Sequence, residues 1–425
     1  MSRGPRDERM SGHRAAGSRP AVAASERRRA ALIRTTEEAR ARARRRLPLT
    51  VFDYIDGGAG NESTVRANRH ALESLPIIPR LGVTRGSPPP VLETRVLGKP
   101  ISFPVMLSPV GFARMMHPAG DVAAAAAAGD AGTVHTLSTF SGHTLEEVAG
   151  AATGRRWFQL YFLGGRRGAE ALIGRAAAAG YEALVVTLDT QTGAMRERDV
   201  RHGVRLPLRI TFDNVLRFAP EAVAHPGWLL GFAQDRFHMD LANAAASAGA
   251  GGMALDEALG HLRASPPLWE DFRWIRDQWP GPVLAKGVLS ADDARRAVDA
   301  GVAGVVVSNH GGRQLDGAPP TIGVLPDVVA AVGDDAEVFV DGGFRRGADV
   351  VRALSLGARA VMVGRPWAFG LAVAGGAGVA KVLDLLRADV ERVLRLIGCP
   401  SVEELCPGYL GRPDPSLLHR QLPVS

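Results

Sequence analysis

The chain has 425 residues, of which 46% are hydrophobic, enough for one large domain or two medium ones with a sizeable core. Its net charge of +7 comes from residues 1–46, where fourteen arginines accompany five acidic residues; the remaining residues include 37 basic and 39 acidic ones. The domain itself is therefore not predicted to bind nucleic acid. The only cysteines, Cys399 and Cys406, exclude a disulfide framework and a cysteine-rich metal site, and they favour the cytoplasm.

The chain begins with an Arg- and Ser-rich segment, residues 1–26, that predicts a disordered basic tail. No apolar segment of a signal peptide follows its arginines. Such a tail can be a simple solvated extension, or it can bind RNA or anionic lipid. Residues 27–100 predict one or two helices, with Thr35 or Thr36 as N-cap, and then turn-rich segments that pack on a barrel. Residues 411–425 are expected to be a C-terminal tail.

From about residue 101 to 410 the pattern becomes regular, with short apolar runs separated by Ala-rich or amphipathic helices. Eight runs predict buried parallel strands: 105–110, 133–138, 156–162, 183–189, 283–288, 304–310, 338–343 and 360–365. Strand followed by helix, eight times, predicts an α/β fold of the TIM type, a (β/α)₈ barrel with an N-terminal helical extension. An open doubly wound sheet is the alternative.

One connection is much longer than the others. About 93 residues separate the fourth and fifth predicted strands, which indicates an insertion at about residues 200–270. An insertion after a barrel strand emerges at the carboxyl end of the barrel, where active sites lie. Its apolar part, residues 215–232, predicts a lid packed on the barrel, with contact to a membrane surface as the alternative.

Polar side chains stand at the end of nearly every predicted strand, as a convergent site requires. In chain order they are Ser108, Ser138, Gln159, Tyr161, Thr187, Asp189, Lys286, Ser308, His310, Asp341 and Arg365. Two glycine-rich loops follow the seventh and eighth strands: Asp341-Gly-Gly-Phe-Arg-Arg-Gly and Gly364-Arg-Pro. Glycine brings backbone N–H groups close to an anion and arginine binds it bidentately, so these loops predict a phosphate site.

Lys286 is one of only three lysines, and it ends a strand. It can form a Schiff base with a carbonyl substrate, or it can stabilise the anion of a reduced flavin. The neighbouring motifs favour the flavin, because a Schiff-base enzyme has no need of a separate base flanked by carboxylate-binding arginines. That base is His310, with Arg313 three residues later. The segment after the fourth strand supplies Asp189 to orient the histidine and Arg196 as a second carboxylate ligand.

These motifs resemble the FMN-dependent 2-hydroxy-acid dehydrogenase and oxidase family, which includes glycolate oxidase, lactate oxidase, flavin L-lactate dehydrogenase and mandelate dehydrogenase. The resemblance extends from about Leu47 to Pro407. Its most specific parts are Phe52-Asp-Tyr54, Gly57-Gly-Ala, Trp157-Phe-Gln-Leu-Tyr161, Thr187-Leu-Asp189, Lys286-Gly-Val, Ser308-Asn-His-Gly-Gly-Arg-Gln-Leu-Asp316, Asp341-Gly-Gly and Gly364-Arg-Pro.

The resemblance implies a role for each site residue. Tyr54, Arg196 and Arg313 would hold the substrate carboxylate, and Tyr161 would contact the 2-hydroxyl oxygen. His310, paired with Asp189, would remove either the α-hydrogen or the hydroxyl proton while two electrons pass to flavin N5. The implied FMN ligands are Ser138, Gln159, Thr187, Lys286 and Ser308 at the ring and ribityl chain, and Asp341, Gly343, Arg345, Gly364 and Arg365 at the ribityl chain and phosphate.

The implied reaction is oxidation of an L-2-hydroxy acid to the 2-oxo acid, of the L-lactate dehydrogenase or oxidase type, with oxygen or a quinone as electron acceptor. Phe140, Ile55 and Met195 depart from the glycolate oxidase pattern, whereas the Gly111–Pro118 stretch and the insertion resemble bacterial lactate or mandelate dehydrogenases. The family also implies a homotetramer, in the cytoplasm or at the inner face of the membrane. The alternatives are an FMN-dependent oxidase of an amine or peptide-derived substrate, a flavin-free aldolase using Lys286, and a non-catalytic phosphate-binding barrel with an RNA-binding tail.

Overall fold

The structure, a computed structural model, describes residues 19–82, 88–202, 219–235, 241–243, 260 and 264–412. Eight parallel strands, β3 to β10, close into a barrel in which each strand pairs with the next along the chain and β10 pairs with β3. The predicted (β/α)₈ barrel is thereby confirmed, and the open sheet is wrong. The strands are β3 Val105–Leu107, β4 Val134–Ser138, β5 Arg155–Leu160, β6 Ala183–Thr187, β7 Val283–Val288, β8 Gly304–Val307, β9 Glu337–Val340 and β10 Ala360–Val363.

The barrel interior is filled with side chains rather than open. Trp157, Val185, Phe339 and Met362 belong to a fully buried apolar cluster inside it, as alternate strand positions that face the axis require. A hairpin of β1 Thr94–Val96 and β2 Lys99–Ile101 adds two further members to this cluster, Val96 and Ile101. The hairpin thus covers one end of the barrel, and polar residues at the carboxyl ends of the strands are left to line the other.

Helices surround the barrel and extend over the carboxyl ends of its strands. They are α1 Arg19–Ala31, α2 Thr36–Arg46, α3 Leu49–Asp56, α4 Ser63–Glu73, α5 Ala113–Met116, α6 Gly120–Asp130, α7 Leu145–Ala151, α8 Gly165–Ala178, α9 Glu197–His202, α10 Pro226–Gln234, α11 Asp271–Gln278, α12 Ala291–Asp299, α13 Thr321–Val332, α14 Gly347–Ser355 and α15 Arg365–Ile397, with 3₁₀ turns at Val402–Glu404 and Pro407–Tyr409.

The last helix, α15, is long and apolar enough to cross a membrane by length and composition alone. However, 67% of its most apolar stretch is buried within the fold, against α1, α2 and α6. Its backbone also leaves helical geometry at Ala374 and Gly375, so two helical halves meet at a kink. Burial on this scale is what a core helix of a globular domain shows.

The N-terminal segment contains four helices before residue 82, so the prediction of one or two helices was wrong. The N-cap is at Thr35, whose hydroxyl accepts a hydrogen bond from the Glu38 amide at 3.0 Å, as predicted. Helix α4 was among those missed, because the glycines that precede it are typical of a turn; the structure begins it after Glu62, whose φ is 65°. The tail boundary predicted at residue 26 falls inside α1.

The predicted insertion at 200–270 is described in part. Residues 215–218 of its apolar stretch lie outside the described residues. Helix α10 lies on the barrel through Trp228, whose indole Nε1 donates to the Met115 carbonyl at 2.8 Å and whose ring stacks on Phe232. Leu230 on the same helix is 63% exposed. Helix α10 therefore packs one face against the barrel and exposes the apolar Leu230 on its surface.

Candidate active site

A cavity of about 850 Å³ opens at the carboxyl ends of the barrel strands, a size typical of ligand sites. The structure brings fourteen of the sixteen predicted site residues to its wall: Tyr54, Ser138, Gln159, Tyr161, Thr187, Arg196, Lys286, His310, Arg313, Asp341, Gly343, Arg345, Gly364 and Arg365. The other two, Asp189 and Ser308, lie directly behind the wall and bind His310 and Lys286. The predicted residues thus form one site.

The histidine of this site is held by a carboxylate. His310 Nδ1 lies 3.0 Å and 3.2 Å from the two carboxylate oxygens of Asp189, and its backbone N–H donates to Ser308 Oγ. His310 itself has a left-handed φ of 57°, which is uncommon for a residue with a side chain and occurs at functional sites. Gly287, at φ 104°, lets the carboxylate approach, because a Cβ there would lie 2.7 Å from Asp189 Cβ.

The charge states of this pair follow from their surroundings. Burial lowers the pKa of His310 and Lys286 lowers it further, against the opposing effect of Asp189, so the ring is neutral at pH 7. Burial alone would raise the pKa of Asp189, but the interaction with His310, including its hydrogen bond, and the charge of Lys286 hold it below its ordinary value. With Nδ1–H donating to an ionised Asp189, the His310 Nε2 atom is left with a free lone pair.

Lys286 lies in the carboxyl-terminal half of β7 and is almost fully buried. Its ammonium donates to Ser308 Oγ at 2.9 Å and lies 3.4 Å from Asp341 Oδ2. These two contacts fix the position of a positive charge at the floor of the cavity. A buried ammonium held in this way is suited to stabilise negative charge that develops on a bound ligand.

Neighbouring strands place further polar groups beside Lys286. Ser138 pairs with Gln159 across β4 and β5, and Thr187 pairs with Lys286 across β6 and β7, so sheet register fixes their relative positions. Within the described residues, five buried side-chain atoms on the cavity wall have no hydrogen-bond partner: Ser108 Oγ, Gln159 Nε2, Thr187 Oγ1, Arg196 Nε and Asp341 Oδ1. Buried polar groups are nearly always paired, so these atoms indicate a ligand with matching donors and acceptors.

Three arginines line the cavity: Arg345, which is buried, and Arg313 and Arg365, which are partly buried. Arg313 and Arg365 donate to the carbonyls of residues 54–57 and 311, and neither forms a salt bridge with any residue that the structure describes. Burial and, after it, the charges of neighbouring arginines lower the pKa of Arg345 and of Arg313 to about 10, and that of Arg365 to about 9. Concentrated, buried positive charge of this kind favours the binding of anions.

The mouth of the cavity carries Tyr54 from α3 and Arg196, which immediately precedes α9. The guanidinium carbons of Arg313 and Arg196 lie 5.0 Å and 5.9 Å from the centre of the Tyr54 ring. Burial, and secondarily the Asp189 charge, raises the pKa of Tyr161, so its hydroxyl stays protonated as a donor. One hydroxyl donor and two guanidinium groups therefore surround the space next to His310.

Three residues of the site were not assigned a role from the sequence. Gln314 donates to the Asp189 carbonyl at 3.1 Å, and the Phe140 ring lies 4.9 Å from the Tyr161 ring on the cavity wall. Arg198 forms salt bridges with Asp53, Asp56 and Glu62. The position of Gln314 inside the Ser308–Asp316 motif could have indicated it, but no local pattern pairs Arg198 with acidic residues so distant in sequence.

Comparison with known proteins agrees with this geometry. The sequence profile of a family described as FMN-dependent dehydrogenase matches residues 43–412. Pre-mycofactocin synthase from Mycobacterium tuberculosis is 42% identical over 380 residues, which cover 89% of this chain and 94% of that protein. L-Lactate dehydrogenase from Caulobacter sp. (strain K31) is 40% identical over 388 residues, covering 90% and 100%. A crystal structure of the monotopic membrane protein (S)-mandelate dehydrogenase matches with a TM-score of 0.82 and 39% identity, covering 89% of this chain and 99% of that one.

Proposed function

The chain belongs to the FMN-dependent 2-hydroxy-acid dehydrogenase and oxidase family, and on that basis we propose that it oxidises an L-2-hydroxy acid, lactate-like or mandelate-like, to the 2-oxo acid. The observation that carries this proposal is the position of a neutral, carboxylate-bound histidine beside two guanidinium groups and a tyrosine in one cavity. A 2-hydroxy acid has a carboxylate and a hydroxyl group on the adjacent carbon. The guanidinium groups and the tyrosine can bind the carboxylate, and the histidine can accept a proton from the adjacent carbon or its hydroxyl group.

The residues present fit FMN. The unpartnered buried atoms of Gln159, Thr187 and Asp341 offer hydrogen bonds of both kinds to a polar ring and ribityl chain. Ser138, Lys286 and Ser308 would complete that set, and the phosphate would take Gly343, Arg345, Gly364 and Arg365, where the buried positive charge lies. When bound, FMN accepts the two electrons that leave the substrate.

Arg313, Arg196 and Tyr54 would bind the substrate carboxylate. Arg313 is partly buried and has no carboxylate partner among the described residues; burial and the charge of Arg196 lower its pKa to about 10. A bound carboxylate would offset both effects, because it supplies the missing counter-charge. The Nε atom of Arg196 is likewise buried without a hydrogen-bond partner in the described part of the chain.

His310 would accept the substrate proton at Nε2. Asp189 keeps the ring in the tautomer that leaves this atom unprotonated, and it stabilises the imidazolium after proton transfer. Tyr161, held in its protonated form, would donate to the 2-hydroxyl oxygen. The barrel and its loops thus hold these groups in position before the substrate binds.

An aromatic cluster supports a substrate with an apolar side chain. Phe112, Phe140, Tyr54 and Tyr161 line the cavity, and ring centres of neighbouring members lie 4.9 to 6.3 Å apart. Aromatic rings of this kind stabilise an aryl or branched side chain through burial and edge-to-face contact. We therefore expect mandelate and branched 2-hydroxy acids to react faster than glycolate.

The alternative reactions require a different site. A flavin-free aldolase is excluded, since the family is FMN-dependent. The similarity to pre-mycofactocin synthase keeps a peptide-derived substrate as the competing candidate. The partly buried Arg313 supports the hydroxy acid over it, because a substrate without a carboxylate would leave this guanidinium without a counter-charge.

Peripheral contact with the inner face of the membrane is also part of the proposal. Val223 and Leu230 in the insertion are 66% and 63% exposed, and Gly227 beside them lies next to the Arg46 guanidinium. Exposed apolar residues with adjacent basic groups suit an anionic bilayer surface. Binding to vesicles containing anionic lipid, but not to neutral ones, is the expected result.

We propose a homotetramer, with oxygen or a quinone as electron acceptor, by analogy with the family.

The test of the reaction is anaerobic bleaching of the bound flavin. L-Lactate, glycolate, (S)-mandelate and longer L-2-hydroxy acids are added separately to the purified protein, which is then reoxidised with oxygen or a quinone. We expect bleaching by at least one apolar L-2-hydroxy acid, and the rate of each reoxidation identifies the acceptor. A protein that carries FMN but is bleached by none of these acids would refute the hydroxy-acid assignment.

A further inference from the structure

The substrate-binding residues lie on segments outside the barrel, and one unassigned arginine joins these segments. Arg198 in α9 donates through Nη1 to Asp53 and Asp56, each at 3.1 Å, and through Nη2 to Glu62 at 2.6 Å. Asp53 and Asp56 belong to α3, on either side of Tyr54, and Glu62 ends the glycine-rich turn that follows α3. A single guanidinium thus holds three carboxylates from one continuous segment.

This cluster is well shielded from solvent, so the electrostatic interactions between its charges are strong. The side chains of Asp53, Asp56 and Glu62 are 12%, 6% and 17% exposed, and that of Arg198 is 30% exposed. Burial alone would lower the pKa of Arg198, but its hydrogen bond to Glu62 and the charges of Glu62 and Asp56 raise it above its ordinary value. Removal of the guanidinium would leave three partly buried carboxylates close together with too little positive charge.

The same contacts fix the relative position of the two sides of the substrate site. Arg196 stands two residues before Arg198. The Gly60 N–H donates to the Met195 carbonyl at 2.9 Å, so the backbone at Gly60 runs beside the backbone at Arg196. Tyr54 lies across the substrate site from Arg196, and in the sequence of α3 it stands between Asp53 and Asp56. Arg196 and Arg313 both approach the Tyr54 ring and repel each other. An attachment outside the cavity is needed to hold them together.

The two ends of α3 are attached independently. At its N-terminus, which follows Pro48 and has no side-chain cap of its own, Glu221 of the insertion accepts hydrogen bonds from the backbone and hydroxyl of Thr50 at 3.2 and 3.0 Å. At its C-terminal half, Arg198 binds Asp53 and Asp56, while Arg40 also binds Asp56. Loss of Arg198 would remove the guanidinium that links α9 to both aspartates and to Glu62, and it would leave the weaker attachment of His202 Nε2, 2.7 Å from Asp53 Oδ2, and the Gly60–Met195 backbone hydrogen bond.

On the basis of the function proposed above, we propose that Arg198 is a positioning residue for substrate-carboxylate binding, which sets the distance between Arg196 and Tyr54 without touching the substrate. Its contribution acts on recognition of the carboxylate. His310, Asp189 and Lys286 are attached to the barrel through other contacts, so proton and electron transfer in the bound complex do not depend on it.

The test uses the FMN-loaded full-length protein and the variants Arg198→Ala and Arg198→Lys. The matched control is Arg201→Ala, on the same helix, where the arginine is 74% exposed and, among the residues that the structure describes, pairs only with Glu197 of α9. Two quantities are measured: the Kd of oxalate, a carboxylate that cannot be oxidised, from the spectrum of the bound flavin, and KM and kcat for the best 2-hydroxy acid. The oxalate measurement does not depend on turnover.

For Arg198→Ala we expect the Kd of oxalate and KM to rise about 10- to 100-fold while kcat changes by less than about threefold. Arg198→Lys should recover part of the affinity, because an ammonium replaces the charge but cannot contact all three carboxylates. Arg201→Ala should match the wild type. A merely structural role for Arg198 would lower thermal stability and leave the Kd of oxalate unchanged, and that result would overturn the proposal.

If Arg198→Ala does not fold with FMN, Glu62→Gln decides the question. This change removes one charge from the cluster, yet its amide oxygen can still accept from Gly58 N–H, as the Glu62 carboxylate does. A smaller rise in the Kd of oxalate, with kcat retained, supports the proposal; an unchanged Kd overturns it. If no hydroxy acid reduces the wild-type flavin, the proposed reaction fails, but the oxalate measurement still tests the role of Arg198.

Discussion

The floor and the rim of the cavity are built in different ways. The floor, defined as Ser138, Gln159, Thr187 and Lys286, consists of buried residues at the ends of adjacent strands, whose spacing is set by the backbone hydrogen bonds of the sheet. The rim is defined as Tyr54, Arg196 and Arg313. These residues lie on three separate segments, α3, the segment just before α9 and the loop after β8, whose relative positions are not set by hydrogen bonds of the sheet. The rim residues are held by side-chain contacts such as those of Arg198 and by Arg313 donating to the Tyr54 carbonyl.

This difference separates two tasks. The floor offers fixed partners for a cofactor that is the same in every turnover, and a fixed sheet is suited to that purpose. The rim recognises the substrate, and residues on loops can be changed or moved without disturbing the sheet. We therefore expect changes in the floor to affect electron transfer, changes in the rim to affect substrate affinity, and changes in His310, which faces both regions, to abolish the reaction.

The largest effect is expected for His310→Asn. Asparagine tolerates the left-handed backbone conformation of this position, so the loop should be kept while the base is lost. We expect the rate of flavin reduction to fall by about 10²- to 10⁴-fold, in keeping with the loss of a general base. Stopped-flow absorbance measures this rate, and FMN content is the control. A variant with full FMN content and an unchanged rate would show that His310 is not the base.

A change in the floor should produce the next largest effect. Lys286→Met removes the buried charge beside Ser308 and Asp341, and should slow flavin reduction by about 10²-fold through the loss of electrostatic stabilisation. The Kd of oxalate should change far less. Reduction and binding are measured on the same FMN-loaded sample. If binding weakens as much as reduction slows, the floor and the rim are not functionally separate.

A change in the rim should give the reverse pattern. Arg313→Lys keeps a positive charge but loses the planar pair of donors, so the Kd of oxalate should rise about 10- to 100-fold, the value of one charged hydrogen bond. The limiting rate of flavin reduction at saturating substrate should be nearly retained. A large loss of limiting rate with unchanged affinity would assign Arg313 to the chemistry instead of to carboxylate binding.

The smallest expected effect is a shift in the pH profile. Only neutral His310 can accept a proton, so flavin reduction should fall as the pH drops through its pKa. Because burial and Lys286 lower that pKa, the midpoint of this acid limb should lie below the ordinary value of 6.5. In Lys286→Met, one cause of the lowering is gone and the midpoint should move upward. A midpoint above 6.5 in the wild type would contradict the charge states inferred for the site.

The same division explains what the sequence could predict. Each barrel strand is an apolar, often β-branched run with polar residues at its end, so strand positions and the members of the floor follow from local pattern alone. The pairing of Asp189 with His310 was also predictable, because both follow strands of one barrel and must meet at the same end.

The rest depends on contacts that no local pattern encodes. Arg198 binds partners 136 to 145 residues away in the sequence, and an arginine in a charged segment resembles any solvated helix face. Helix α4 was missed for a related reason, since the glycines before it and the left-handed Glu62 resemble a turn until the packing is known. Local signals therefore define the barrel and the floor better than they define the segments that attach the rim.

The most direct test of the central claim is a single anaerobic turnover in which the product is identified. The FMN-loaded protein is mixed with the L-2-hydroxy acid that bleaches it fastest, and the 2-oxo acid formed is quantified against the flavin reduced. Our account predicts one equivalent of 2-oxo acid per flavin in the wild type and almost none in His310→Asn over the same interval. Flavin reduction without 2-oxo acid, or reduction by an amine but by none of the hydroxy acids, would contradict it.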